Sequence, residues 1–120
     1  MPPTLGDRLR HVLDAIADIN RILENKSRQD FDGDRVLRLA TERLLEMISE
    51  ASRHIPEDIK AQETAIPWQR VADLGNRLRH AYHRVEPDIL WRIAKNDLAP
   101  LQAFAEKVTR EEGSTSPRMT

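Results

Sequence analysis

The sequence predicts an all-α protein, an up-down bundle of four to five helices. Three observations carry that prediction. Apolar residues recur at helical spacing through four long segments, no segment alternates with period two, and the connections between segments are short. Internal repeats and low-complexity blocks are absent.

The first segment places Leu5, Leu9, Val12, Leu13, Ile16, Ile19, Ile22 and Leu23 on one stripe, which predicts a helix from Thr4 to Glu24. Thr4 is the expected N-cap, with Asp7 three residues on and Pro2 and Pro3 outside. His11 reads as a surface or boundary residue. Residues Asn25 to Asp32 read as a turn with Phe31 as its apolar anchor.

The second helix is expected to start at Asp32-Gly33-Asp34 and to end at Pro56. Its stripe is Leu37, Ala40, Leu44, Met47, Ile48, Ala51 and Ile55. Glu42, Arg43, Glu46, Glu50 and Arg53 form surface charge pairs at i+3 and i+4 spacing. Glu50 stands apart from these. Its neighbours Ser49 and Ala51 are small enough for another helix to approach closely, and the carboxylate would then need a partner.

A polar connection, Pro56 to Ile66, holds one expected helical turn at Glu57 to Gln62. Pro67 opens a third helix, predicted to run to Val85 with Trp68 packed beneath it. Glu86-Pro87 breaks it. Ile89, Leu90, Ile93, Ala94, Leu98, Leu101, Phe104, Ala105 and Val108 then continue at helical spacing, with a kink expected before Pro100. The expected organisation is one helical domain over residues 1–112 and a disordered tail, GSTSPRMT, from Gly113.

Composition narrows the chemistry. The chain has 120 residues, enough to bury a core of its own. It has no cysteine, which excludes disulfides, zinc–thiolate sites and thiol catalysis and suits the cytoplasm. No apolar run nears the roughly 18 residues of a membrane span, and the N-terminal stretch lacks a signal-peptide pattern. A formal charge of −1 confines any nucleic-acid contact to a local patch. Aromatic residues are only 4%, too few for a base-stacking platform.

The third helix holds the local patch. Val71, Leu74, Leu78, Ala81 and Val85 share one stripe, with Tyr82 at its edge. His80 projects nearly opposite, flanked by Asp73, Asn76, Arg77, His83 and Arg84, with Arg79 between the two faces. Such a face on pattern alone is solvated surface. Its charge sets it apart, since four arginines against one aspartate between Arg70 and Arg84 make it +3 on a slightly acidic chain. That is the footprint of a phosphate or RNA-backbone site. Gly75 in mid-helix costs about 1 kcal/mol relative to alanine, and implies close packing or room for a ligand.

Other chemistries lack their residues. There is no glycine-rich phosphate loop, no HExxH and no nucleophile elbow. His80 and His83 are three apart, but no third ligand lies nearby, so neither metal nor cofactor is expected. Metal-free RNA cleavage needs only a base to take the ribose 2′-hydroxyl proton and a cation to stabilise the phosphorane. Histidine suits the first role and arginine the second.

The order Asn76-Arg77-Leu78-Arg79-His80-Ala81-Tyr82 follows Pro67-Trp68 and precedes Asp88-Ile89-Leu90-Trp91 and Asn96-Asp97-Leu98. Upstream lie Asp7-Arg8, His11, Phe31, Ala40-Thr41-Glu42-Arg43 and Ser49-Glu50-Ala51. Over about residues 5–110 this pattern resembles the HepT-like proteins of the HEPN superfamily. The resemblance implies a dimerising all-α bundle. It also implies a toxin endoribonuclease, of a type VII-like toxin–antitoxin pair, encoded with a cognate nucleotidyltransferase antitoxin. In that family an Arg-x4–6-His motif cuts RNA in a cleft at the dimer interface. His80 and Asn76 match the motif's histidine and asparagine. Tyr82 matches the tyrosine that the antitoxin modifies with AMP.

One position departs from the pattern. Where the family usually has arginine, this chain has Gly75. Arg79 and Arg77 are the candidates to replace that cation, with Asp73, His83 and Glu50 in support. Two other readings stay open. One is a non-catalytic HEPN protein binding RNA, a nucleotide or a nucleotidyltransferase. The other is a helical adaptor whose basic face meets an acidic protein.

Overall fold

Thr4 starts the first helix with a reciprocal pair of hydrogen bonds. Its hydroxyl accepts from the Asp7 N–H at 3.0 Å, and the Asp7 carboxylate accepts from the Thr4 N–H at 2.9 Å. In the computed structural model, which describes residues 3–80 and 86–115 and side chains as far as 111, helix α1 spans Leu5–Ile22. Leu9, Val12, Ala15, Ile16 and Ile19 line its buried face. Asn25 then takes a left-handed backbone with φ 61°, which asparagine tolerates better than most residues, and the chain reverses.

The expected turn holds a short helix of its own, α2 (Arg28–Gly33), because Ser27 and Asp30 form a second reciprocal cap. Phe31 anchors it as predicted, fully buried with its ring 5.3 Å from that of Trp91. Arg28 bridges Asp32 at 2.8 Å and Asp88 at 2.7 Å, tying α2 to a later helix.

Asp34 caps α3 (Arg35–Arg53), accepting from the Leu37 N–H at 3.0 Å. The buried face differs from the predicted stripe. Leu37, Thr41, Leu45, Ile48, Ser49, Ala51 and Ser52 are buried, whereas Met47 is 40% exposed and Ala40 and Leu44 are half-buried. Three of the buried residues that the apolar stripe omits, Thr41, Ser49 and Ser52, are small and polar. Thr41 satisfies its hydroxyl on the Leu37 carbonyl at 2.8 Å, and Ser49 meets α5 where the two helices cross.

After a single turn, α4 (Glu57–Lys60), Trp68 opens α5 (Trp68–Arg79). Its indole N–H reaches the carbonyls of Lys60 and Glu63, each at 3.2 Å, and its ring meets Phe104 edge-on at 5.2 Å. The described helix ends at Arg79. His80 leaves the α region with ψ 85°, while its N–H still reaches the Asn76 carbonyl. Residues 81–85, with Tyr82, His83 and Arg84, lie outside those described.

Pro87 is the first residue of α6 (Pro87–Arg92), which passes through a π-helical turn, Ile93–Asp97, into α7 (Leu98–Thr115). The break thus falls just before Pro100, where the sequence places a kink. Pro100 has no N–H for the Asn96 carbonyl and its ring crowds that group, and the wider turn accommodates both. Helix α7 extends three residues into the segment expected as a tail.

Among the described residues every regular element is helical, as predicted. Helix α1 packs on α3 and α7, while α5 packs chiefly on α3. None of these helices is long and apolar enough to cross a membrane.

Candidate functional site

Gly75 settles how α5 lies on α3. A Cβ there would stand 2.6 Å from the Ser49 Cβ and closer still to its hydroxyl. The glycine therefore marks a close helix crossing, and only hydrogen fits at that point. Both residues are buried.

This crossing brings Arg79, one turn past Gly75, over the same spot. Its Nη1 lies 3.5 Å from where the Gly75 Cβ would be and 3.6 Å from the Glu50 carboxylate. Its Nη2 donates to the Asn76 side-chain oxygen. Glu50 therefore has the partner its small neighbours implied. It also meets Arg53 at 3.4 Å and the His54 ring nitrogen at 3.0 Å. This surrounding holds the Glu50 carboxyl below the usual glutamate range, first through the His54 hydrogen bond, with Arg53 and Arg79 adding to it against partial desolvation.

Because the folded value is lowered, Glu50 favours the folded state above the unfolded-state pKa, and that contribution fades as pH falls through the folded value. An NMR titration of the Glu50 carboxyl should find a midpoint below the ordinary one, and His54→Ala should move it upward. A midpoint that His54→Ala leaves in place would remove His54 as the leading cause.

Beside Glu50 and Arg79 opens a shallow groove of about 430 Å³, completed by Arg8 and His11 of α1 and by Arg43, Glu46, Met47 and Ala51 of α3. Four basic side chains thus face two carboxylates, which suits an anion with several charges.

The predicted residues divide between two flanks of α5. Asn76, Arg79 and Glu50 meet on one. Arg77 and Asp73 line a larger cavity on the other, where Asp73 also accepts from Gln69 at 3.0 Å. His80 is exposed at the helix end and lines neither space. Among the described residues no three of His, Asp and Glu are grouped to hold a metal ion.

The model of the family described as ribonuclease HepT-like matches residues 12–108. The chain belongs to this HepT-like family. It is 35% identical over 104 residues to "Probable ribonuclease HepT" of Thermococcus cleftensis, covering 87% of this chain and 94% of that one. It is 30% identical over 100 residues to "Putative RNase MJ1380" of Methanocaldococcus jannaschii, covering 83% and 92% respectively. No solved structure matches significantly.

The HepT-like match spans the Gly75–Ser49 crossing and everything that holds Arg79. Several groups there carry no local signal in the sequence. In the sequence Ser49 stands out only as a small neighbour of Glu50. Arg8, His11 and Arg43 come from helices far apart in sequence, so no local spacing joins them to Arg79. His54 was legible in principle, since it lies at i+4 from Glu50 on one helix.

Proposed function

We propose that this chain is a metal-independent endoribonuclease, the toxin of a type VII-like toxin–antitoxin pair acting in the cytoplasm. Its RNA is cut in a cleft between two copies. His80 takes the proton from a ribose 2′-hydroxyl, and the 2′-oxygen attacks the adjacent phosphorus. The bond to the 5′-oxygen breaks, and that oxygen leaves with a proton from a second His80 in its protonated form. The products are a 2′,3′-cyclic phosphate and a 5′-hydroxyl.

One observation supports this reading most: Arg79 lies over Gly75, where the family pattern has its arginine. Asn76 and Glu50 hold the guanidinium at that place, so the cationic role passes from position 75 to position 79. Arg77 sits on the other flank and is not needed for it. Val36, Leu39 and Met47, exposed along one side of α3, favour a second copy as the partner that completes the cleft. The cognate nucleotidyltransferase then silences the toxin by placing AMP on Tyr82.

A second reading rests on Glu50. At 3.6 Å its carboxylate offsets the Arg79 charge, and the site would then bind RNA or a nucleotide without cutting. Cleavage of RNA in EDTA separates the two. Wild type should release cyclic-phosphate ends, Arg79→Ala should lose about 10²- to 10³-fold in rate, and Arg77→Ala less than about tenfold. Wild type that binds RNA without cutting it would favour the second reading. A larger loss for Arg77→Ala than for Arg79→Ala would return the cationic role to the other flank.

A further inference from the structure

The larger cavity lies on the flank of α5 away from Glu50, between α5 and the run from α6 through the π turn into α7, and measures about 560 Å³. That is the size range of small-ligand sites. Its floor is apolar. Leu45 and Ile48 of α3, Leu74 of α5 and Leu98 and Leu101 of α7 are buried there. Its rim is polar and exposed: Arg70, Asp73 and Arg77 along α5 face Arg92, Asn96 and Asp97.

The rim charges are unevenly satisfied. Arg92 is engaged by Asp88 at 3.1 Å. Arg70 and Arg77 stand two turns apart on one face of α5, and neither has an ion-pair partner among the described residues. Two unpaired guanidinium groups above an apolar floor call for an anion attached to an apolar body. A simple alkyl anion fits poorly, because Asp73 and Asp97 share the rim and would repel a carboxylate lying away from the arginines. Those same carboxylates accept from hydroxyl and amino groups, and the Asn96 amide both donates and accepts. The π turn carries Ile93, Asn96 and Asp97 to this wall, a placement such turns often have at ligand sites.

We propose that this cavity binds a nucleoside phosphate, with the base on the apolar floor, the phosphate on Arg70 and Arg77, and sugar or base donors on Asp73 and Asp97. The proposal does not depend on RNA cleavage, since Glu50 and Arg79 lie on the other flank. The same chemistry is offered by a free nucleotide and by one nucleotide of an RNA chain.

Amide NMR titration of the full chain tests this with AMP, GMP, CMP and UMP, with adenosine, with inorganic phosphate, and with a short oligoribonucleotide. Saturable shifts at Val71, Leu74, Ile93, Asn96 and Leu98 are expected with at least one nucleoside monophosphate, and much weaker ones with adenosine or phosphate alone. Arg70→Ala should weaken that binding about tenfold without lowering the melting temperature. Val71→Trp should fill the floor and abolish it. If Val71→Trp does not fold, Arg70→Ala decides. Saturation by the oligoribonucleotide but by no mononucleotide assigns the nucleotide to an RNA strand. The proposal fails if no probe saturates at millimolar concentration, if adenosine binds as tightly as AMP and Arg70→Ala changes nothing, or if the shifts cluster at Arg79 and His80 instead.

Discussion

Gly75→Arg, which restores the residue of the family pattern, is expected to destabilise the fold severely and not to strengthen cleavage. The obstacle is the Cβ, not the guanidinium. The Ser49 hydroxyl can rotate away from a new side chain, but the Ser49 Cβ, 2.6 Å from the new atom, moves only with the backbone of α3. Gly75→Ala therefore isolates the effect. Helix propensity alone would make alanine about 1 kcal/mol more stable than glycine. Overpacking at a buried crossing costs about 1–3 kcal/mol, occasionally more. We expect the second term to prevail, with Gly75→Ala destabilised by about 1–2 kcal/mol and Gly75→Arg by about 3 kcal/mol or more. Ser49→Gly should cost stability alone yet relieve Gly75→Ala, giving a coupling above about 1 kcal/mol in a double-mutant cycle of urea unfolding. A Gly75→Ala protein more stable than wild type would show that α3 and α5 part easily. The position of Arg79 would then not depend on their contact.

His80→Ala should lower RNA cleavage by about 10²- to 10⁴-fold, the range for loss of a general base or acid. The side chain is exposed at the end of α5, so the melting temperature should barely move. The pair of measurements distinguishes lost chemistry from lost folding. A rate within threefold of wild type would leave His80 without a role in the reaction, and the cleft would need another proton acceptor. If both copies act on one phosphate, mixed dimers of wild-type and His80→Ala subunits should also be inactive, so activity should fall faster than the wild-type share of the mixture.

Caps and large apolar residues were the most legible part of the chain. Thr4 and Asp7 predict each other's hydrogen bonds because a capping box is purely local, and Phe31 could only point inward. The buried face of α3 was harder to read. A stripe drawn from apolar residues alone included Met47 and passed over Thr41 and Ser49, because a tight crossing selects for small volume as much as for low polarity. Gly75 was recognisable as a site of close packing, but Ser49 as its counterpart was not, since the two are joined only through the fold. The end of α5 at Arg79 was missed for a related reason. The apolar spacing continues to Val85, and periodicity does not register where the backbone turns. Arg77 and Arg79 were grouped by charge, yet two residues apart on a helix they point about 200° away from each other. The structure accordingly sets them on separate flanks.

The π turn at Ile93–Asp97 works as a phase shifter. It takes up one surplus residue, so the residues after it stand about 100° back from where unbroken helical spacing would put them. Leu90 in α6 packs inward on one side of the turn, and Leu98, Leu101, Ala105 and Val108 pack inward on the other. At 100° per residue these four already fall within about 80° of Leu90, so the turn changes where α7 lands on the core and not whether its apolar residues face it. Deleting one residue there should leave a regular helix whose second half keeps its present facing, because the wide turn already takes up that residue. The surplus is held in one turn of backbone instead of being spread along α7, which leaves both flanking helices regular.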